Sequence, residues 1–317
     1  MLPSFQNSFA LRFDHSTRQF ESVRFQDLAW SATDAGTLYG AILVERFRTY
    51  GFKLLELNDY EARLSHGAQH FSIDASSITS ELTTNANRLL DLNRDLVHQS
   101  GDVGIVVLAS PGELDQDNSL GNRPTCMMHL SPLPFEKLNQ WHKDGTDLWI
   151  GTFQAVPNAC WPNQIKSRSR LPYFLSDTIS SSKQADSLSV LTTSRGTISD
   201  TSVANVLLVD DKSEFVSPPK EDILTGCTLL AVERLLKKNN IQIQYRDIES
   251  KEFTSASEVI LTGSTGGVWS ARSINGTRIG LDNGQPKLRF LTDLWKTHVG
   301  IDFVEQAALM AGRARLA

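Results

Sequence analysis

The sequence predicts a mixed α/β protein built as two domains, and three observations carry that prediction. The chain has 317 residues, whereas one hydrophobic core ordinarily serves about 100–200. Short apolar runs of strand character mix with helical periods, without the strict βαβ alternation of one doubly wound sheet. A break at Leu133-Pro134-Phe135-Glu136 separates two such blocks. The expected division is therefore a smaller N-terminal domain over 1–133 and a larger C-terminal one over 134–317.

In the first block, Asp34-Ala35-Gly36 opens a turn, and Ala41 to Arg48 reads as a strand with polar residues entering at its end. Tyr50-Gly51 turns the chain and Phe52 to Leu57 returns, which predicts a hairpin. Asp59 is placed to cap a helix running through Leu64 to Phe71. A second helix is expected over Asp74 to His98, on the apolar positions Leu82, Leu89, Leu90, Leu92 and Val97. Asp102 to Ala109 reads as a buried strand, 110–124 as a loop rich in Pro, Gly, Asn and Asp, and Met127 to Leu133 as a strand. The second block begins at Leu148, with strands around Gly151–Ala155, Leu188–Thr192, Val203–Val209 and Ser257–Thr262. Helices are expected over Leu171 to Ala185 and Leu224 to Asn239, the latter ending on Lys237-Lys238-Asn239 as a cationic C-terminus should. Asn275-Gly276 is read as a tight hairpin turn.

Composition excludes several classes. With 40% hydrophobic and 21% charged residues the chain is neither disordered nor a disulfide scaffold. The balance of 31 Lys+Arg against 36 Asp+Glu leaves no basic excess, so no nucleic-acid partner is expected. No run approaches the roughly 18 apolar residues needed to span a bilayer. Cys126, Cys160 and Cys227 are isolated and odd in number, and read as free thiols. Met1-Leu2-Pro3-Ser4-Phe5 has no secretory pattern, so the expected location is cytoplasmic. No metal site is expected. His66 and His70 stand four apart without an intervening Glu or a third ligand. Asp115, Asp117 and Ser119 imitate a calcium loop, but Leu120 and Cys126 occupy the positions that need Gly and Glu. Gly263-Ser264-Thr265-Gly266-Gly267 lacks the following Gly-Lys of a nucleotide loop, although its amides and hydroxyls suit a single phosphate.

A set of pieces in order is more informative. Ile165-Lys166-Ser167 precedes the helix near Leu171. Gly196-Thr197-Ile198-Ser199-Asp200-Thr201-Ser202-Val203-Ala204-Asn205-Val206 follows, then Pro218-Pro219, then Ile223-Leu224-Thr225-Gly226-Cys227-Thr228 opening a helix, and last Ser257 to Thr265. Upstream stand Val44-Glu45-Arg46-Phe47-Arg48 and Asn58-Asp59-Tyr60-Glu61-Ala62-Arg63-Leu64. In this order and spacing, over about residues 25 to 290, the chain resembles the class IV aminotransferase family. These are the fold-type IV pyridoxal-phosphate enzymes, which include branched-chain and D-amino-acid aminotransferases and aminodeoxychorismate lyases. The resemblance implies a two-domain fold with pyridoxal 5'-phosphate in a cleft between the domains, and a homodimer.

The resemblance also assigns roles. Lys166 matches the lysine that forms the Schiff base with the cofactor. That chemistry needs an amine that loses its proton near neutral pH, which burial near cations such as Arg168 and Arg170 favours. Asp200 stands where the family has Glu, as the carboxylate that keeps the pyridine nitrogen protonated. Gly226, Cys227 and Thr228 match the helix N-terminus that receives the phosphate. Arg63 supplies its charged clamp, and Ser264 and Thr265 a hydroxyl edge.

The sequence also departs from the family's pattern. Tyr60 replaces the usual His of H-x-x-R-L, Arg170 the usual Asn, and Leu171 the ring-contacting Tyr of branched-chain enzymes. Leu108-Ala109-Ser110-Pro111-Gly112 replaces the T-R-G stretch that precedes the carboxylate-binding residues of D-amino-acid enzymes, and Val44 replaces a Tyr. The substrate pocket therefore matches none of these patterns. Arg46, Arg48 and Trp269 are its candidates, two cations for a carboxylate and one aromatic wall. The implied activity is amino transfer between an amino acid and a 2-oxo acid. Glu45 favours it over the alternative, an aminodeoxychorismate lyase, because lyases tend to carry Thr there. A relative without catalysis is the third reading.

Overall fold

A computed structural model describes residues 4–74, 81–117, 119–120, 123–280 and 284–316. The chain forms two compact units: Met1–Leu133 with Ile165–Ser169 and Arg313–Ala317, and Pro134–Gln164 with Arg170–Gly312. Each mixes helices with one sheet, as the irregular alternation in the sequence requires.

Among its described residues the first unit carries six antiparallel strands, β1 (Phe9–Asp14), β2 (Gln19–Arg24), β3 (Leu43–Tyr50), β4 (Lys53–Leu54), β5 (Val103–Ser110) and β6 (Thr125–Pro132). Their order is β2-β1-β6-β5-β3-β4. The expected hairpin is β3–β4. Gly51 and Phe52 turn it with φ of 56° and 67°, the pair of positive values that matches strand twist in a two-residue loop. Phenylalanine tolerates that region poorly. Here the Asp102 carboxylate holds it, accepting the Gly51 and Phe52 N–H groups at 2.9 Å each.

The helix Leu57–His70 packs on β3. Gly67 is required there, because a Cβ would stand 2.8 Å from Leu43 Cδ2, and Tyr60 meets Phe47 at 5.1 Å between ring centroids. Asp59 is not the cap. Glu56 holds that position in the left-handed conformation, and Asp59 lies in the first turn, where a carboxylate favours the dipole. The helix expected over Asp74 to His98 includes residues 75–80, which lie outside the described residues. Its described part is two helices, Leu82–Leu92 and Arg94–Ser100. Asn93 breaks them apart because its amide serves β1, accepting from Phe9 N at 2.7 Å and donating to Phe9 O at 3.0 Å.

Among its described residues the second unit holds nine strands: β7 (Thr146–Gln154), β8 (Leu188–Thr192), β9 (Ile198–Thr201), β10 (Asn205–Val209), β11 (Phe215–Ser217), β12 (Ile243–Tyr245), β13 (Glu258–Gly263), β14 (Gly267–Ile274) and β15 (Thr277–Arg278). They run β12-β11-β10-β13-β14-β7-β8-β9, with β15 on β14. The β11–β12, β14–β7 and β7–β8 pairs are parallel. The stretch at Leu133 to Glu136 opens a helix, Phe135–Asp144, whose Leu138 and Trp141 are buried. Pro134 marks a helix start rather than a linker. Strand β7 begins earlier than its apolar run suggests, because buried Asp147 is neutralised by Arg272. Strand β10 begins at Asn205, since Thr201 to Ala204 forms a turn closed by Thr201 N to Ala204 O at 3.0 Å. Asn275-Gly276 turns β14 into β15 with φ of 50° and 80°.

Candidate functional site

In the first unit the segment 165–169 forms a short antiparallel bridge to the start of β3. Val44 N donates to Lys166 O at 3.0 Å, Arg168 N donates to Ile42 O at 2.8 Å, and Leu43 pairs with Ser167. The Ser169 hydroxyl donates to Gly40 O at 2.9 Å. Lys166 is thereby fixed by backbone bonds opposite Val44, in a loop that has no regular structure of its own.

Alternation along β3 sends its side chains to two faces. On one, Glu45 receives Arg63 through both oxygens, with Nε at 2.8 Å and Nη2 at 2.6 Å. The two side chains are 1% and 9% exposed, so Arg63 has a buried carboxylate partner on the adjoining strand. On the other face stand Arg46 and Arg48. Arg48 is buried, its Nη2 3.8 Å from Asp102 and its guanidinium 4.3 Å over the Tyr50 ring. Arg46 crosses the sheet and reaches Ser131 Oγ at 3.5 Å.

In the second unit Asp200 on β9 is 4% exposed. Its Oδ1 accepts the Tyr173 hydroxyl at 2.6 Å, and its Oδ2 accepts Leu224 N at 3.3 Å. Burial, then the Asp200 charge, pushes the Tyr173 phenol far above its usual range, so Tyr173 stays a donor. The same loop is held from the other side by Asn205, which donates to Leu224 O at 2.7 Å and accepts Gly226 N at 3.0 Å. Gly226 caps the helix Cys227–Lys238, and a Cβ there would stand 2.4 Å from Asn205 Oδ1. Cys227 and Thr228 open this helix and are buried. Ser264 and Thr265 form the β13–β14 turn. Its Gly263 and Gly266 lie close on the Trp269 indole, where a Cβ would come to 3.4 Å and 2.7 Å of ring carbons.

Asp200, the helix N-terminus and the glycine turn are thus joined within one unit by Asn205 and its neighbours. Trp269 is a core residue: 2% exposed, stacked on Trp141 at 4.7 Å, with its indole N–H donating to Thr146 Oγ1 at 2.9 Å. It supports the turn from below. Tyr173 and Asn205 are the positioning groups that sequence reasoning passed over. Tyr173 lies two residues beyond the position where a ring-contacting Tyr was sought, and Asn205 sat unassigned in the stretch from Gly196 to Val206.

The donor set suits a phosphorylated pyridine. A buried carboxylate, a helix N-terminus with a glycine lip, and a hydroxyl-bearing glycine turn supply the ring-nitrogen partner and the anion cradle such a group needs. Among the described residues no helix is long and apolar enough to cross a membrane.

Comparison with known proteins agrees with this chemistry. The family model for amino-transferase class IV matches residues 42–274. A D-alanine aminotransferase of Bacillus licheniformis is 24% identical over 254 residues, covering 78% of this chain and 83% of that one. The Escherichia coli branched-chain amino acid aminotransferase superposes with a TM-score of 0.77 at 17% identity, over 90% of this chain and 93% of that one. The branched-chain amino acid aminotransferase of T.th, solved with N-(5'-phosphopyridoxyl)-L-glutamate, gives 0.75 at 17% identity, over 93% and 95%. The 4-amino-4-deoxychorismate lyase of Pseudomonas aeruginosa gives 0.69 at 19% identity, over 85% and 95%. At such identities these structures establish the fold, that of the fold-type IV enzymes.

Proposed function

The chain belongs to the class IV aminotransferase family, a pyridoxal-phosphate-dependent group, and we propose that it is an aminotransferase moving an amino group between an amino acid and a 2-oxo acid. The observation that carries the reading is the anchoring of the Lys166 segment by two backbone hydrogen bonds, Val44 N to Lys166 O and Arg168 N to Ile42 O. A lysine at the edge of a loop has no need of such fixing unless its amine must meet a small target reproducibly. When bound, the cofactor supplies an electron sink for the charge that develops at the substrate Cα. The protein's part is positional. Lys166 Nζ holds the cofactor and takes the proton from the substrate Cα. Asp200, oriented by Tyr173 and Leu224 N, keeps the ring nitrogen protonated. Gly226, Cys227, Thr228, Ser264 and Thr265 receive the phosphate, with Arg63 as the cation that the sequence pattern assigns there. We place the active species as a homodimer, following the family pattern, in a reducing cytoplasm that suits its three cysteines, none of them in a disulfide.

A second reading, an aminodeoxychorismate lyase, is favoured by the similarity to the Pseudomonas aeruginosa enzyme. The pairing of Glu45 with Arg63 favours amino transfer, because the residue that sets the two apart in sequence is here part of a buried ion pair.

The test is direct. Purified protein should show visible absorbance with pyridoxal phosphate, and borohydride should fix the cofactor's mass on the peptide carrying Lys166. Lys166→Ala should abolish both, along with transfer of the amino group from amino acids to 2-oxo acids. Protein that takes up no cofactor, with Lys166→Ala behaving identically, would mean a relative without catalysis. Release of pyruvate with 4-aminobenzoate would select the lyase. Asp200→Ala should keep the cofactor and lose most activity, at least about 100-fold if it carries the ring-nitrogen proton.

A further inference from the structure

Arg170, Leu171 and Asp200, three departures from the family pattern, meet around one tyrosine of the second unit. The helix Leu171–Lys183 starts just after Arg170. Leu171 is 64% exposed and turned outward, so the aromatic ring of this helix start is that of Tyr173. Tyr173, Ser176 and Ser180 share one helix face, and both serines are buried. Asp177 Oδ1 accepts Ser189 N at 2.8 Å, which fixes the helix on β8, the antiparallel neighbour of β9. The Tyr173 hydroxyl is thereby delivered to Asp200 on β9, where Oδ1 accepts it at 2.6 Å.

Arg170 holds the phenol in turn. Its guanidinium lies 4.4 Å over the centroid of the Tyr173 ring, a cation on the face of an aromatic. Its Nη2 donates to Ser202 O, two residues beyond Asp200. Arginine, phenol and carboxylate therefore form a loop that closes on the strand end where it starts. The terminal torsion of an Asp is broad, so the plane of its carboxylate is set by what its oxygens accept. Of the two bonds, that from Leu224 N at 3.3 Å is long for its kind, whereas that from Tyr173 has the length of a charge-assisted bond. The phenol is the stronger guide. An ionised carboxylate offers about four lone-pair positions, so these two bonds do not saturate it, and a ring N–H can be accepted besides.

We infer that Tyr173, held by Arg170, is the positioning residue that aims the Asp200 carboxylate at the pyridine nitrogen of the cofactor, and that its hydroxyl fills the room a longer acid would need there. The inference rests on the pyridoxal-phosphate reading and deepens it. Asp200 is 4% exposed. A carboxylate carried one carbon further out meets the phenol oxygen unless that oxygen is removed.

The full chain loaded with ring-labelled pyridoxal phosphate tests this, because nitrogen magnetic resonance reads the proton on the ring directly. In Tyr173→Phe the pH at which that proton is lost should fall by about one unit or more, a tenfold weaker hold. Arg170→Met should shift it the same way by less. Asp200→Glu should cost at least about 10-fold both in pyridoxal-phosphate affinity, read by equilibrium dialysis, and in amino transfer per bound cofactor. Adding Tyr173→Phe to Asp200→Glu should recover most of that loss, a coupling that two independent sites would not show. Circular dichroism checks the fold of each variant. If Tyr173→Phe does not fold, the Arg170→Met titration decides, and no shift in it overturns the inference. An unchanged titration in Tyr173→Phe, even with lowered stability, overturns the positioning role, as does loss of the proton at higher pH. Asp200→Glu that keeps affinity and activity beside Tyr173 overturns the claim on space. Wild-type protein that takes up no pyridoxal phosphate overturns the cofactor reading and this inference with it. Uptake with a titration indifferent to Tyr173 overturns the inference alone.

Discussion

The two faces of strand β3 solve the same problem in opposite ways. Toward the helix Leu57–His70, Glu45 and Arg63 form a bidentate pair with almost no exposure. Each charge there ends on the other, and the strand and helix are tied by it. On the opposite face Arg46 spans two strands and meets one hydroxyl at the limit of hydrogen-bonding distance. The fold of the first unit thus uses one arginine completely and leaves the neighbouring one incompletely satisfied. Buried charges that serve the structure come paired, because an unpaired one costs several kcal/mol.

Breaking the satisfied face should have the largest effect. Glu45→Ala leaves Arg63 buried without its partner and should cost about 3–5 kcal/mol, read as the loss in unfolding free energy from a urea titration. A cost below about 1 kcal/mol would mean that this pair does not hold helix to strand. The unsatisfied face should respond weakly. Arg46→Met keeps the volume of the side chain and removes a poorly partnered charge, so stability should change by less than about 1 kcal/mol and in either direction. Equal costs for the two variants would erase the distinction between the faces.

The smallest effect is a pH dependence. His129 lies below its usual pKa of 6.5 in the folded chain, first through burial and then through the charges of Arg168 and Arg46, against the opposing bond to Leu130 O. The unfolded chain therefore binds more protons in the window just below pH 6.5. Folding stability should fall as pH drops through that value and stop falling below the folded-state pKa. Urea midpoints measured between about pH 7 and pH 5 should show this slope in the wild type and a flatter one in His129→Gln. An unchanged slope would mean that His129 is not held neutral by its surroundings.

Much of this was legible in the sequence where local chemistry decides the outcome. The β3–β4 hairpin, the helix Leu57–His70 and the Asn275-Gly276 turn follow from turn residues and periodicity that need no distant partner. What escaped is set by distant contacts. Asn93 breaks a helix because Phe9, 84 residues away, needs its amide. Strand β7 carries a buried Asp147 that only Arg272 makes tolerable. The stretch at Pro134 reads as a boundary, and only the burial of Leu138 and Trp141 shows the helix that begins there. For the candidate site, order and spacing marked Lys166, Asp200 and the helix at Cys227. They could not reveal that Trp269 is packed on Trp141, nor that Tyr173 and Asn205 hold Asp200 and Gly226 in place, since those links join elements that are separate in the chain.

The bridge between Ile165–Ser169 and β3 has a consequence for how the protein is made. Strand β3 is bordered on one side by β5, while its other border is shared: β4 covers the end at Thr49 and Tyr50, and the lysine segment covers the beginning at Leu43. During translation that beginning stays bare until residue 169 has left the ribosome, long after the last strand of its own sheet. A nascent chain, or a fragment cut at Leu133, therefore presents an open strand border that invites pairing with another chain. The segment that carries the proposed Schiff-base lysine is also the stopper of that border, so the first unit reaches its finished form only when residues 165–169 have arrived.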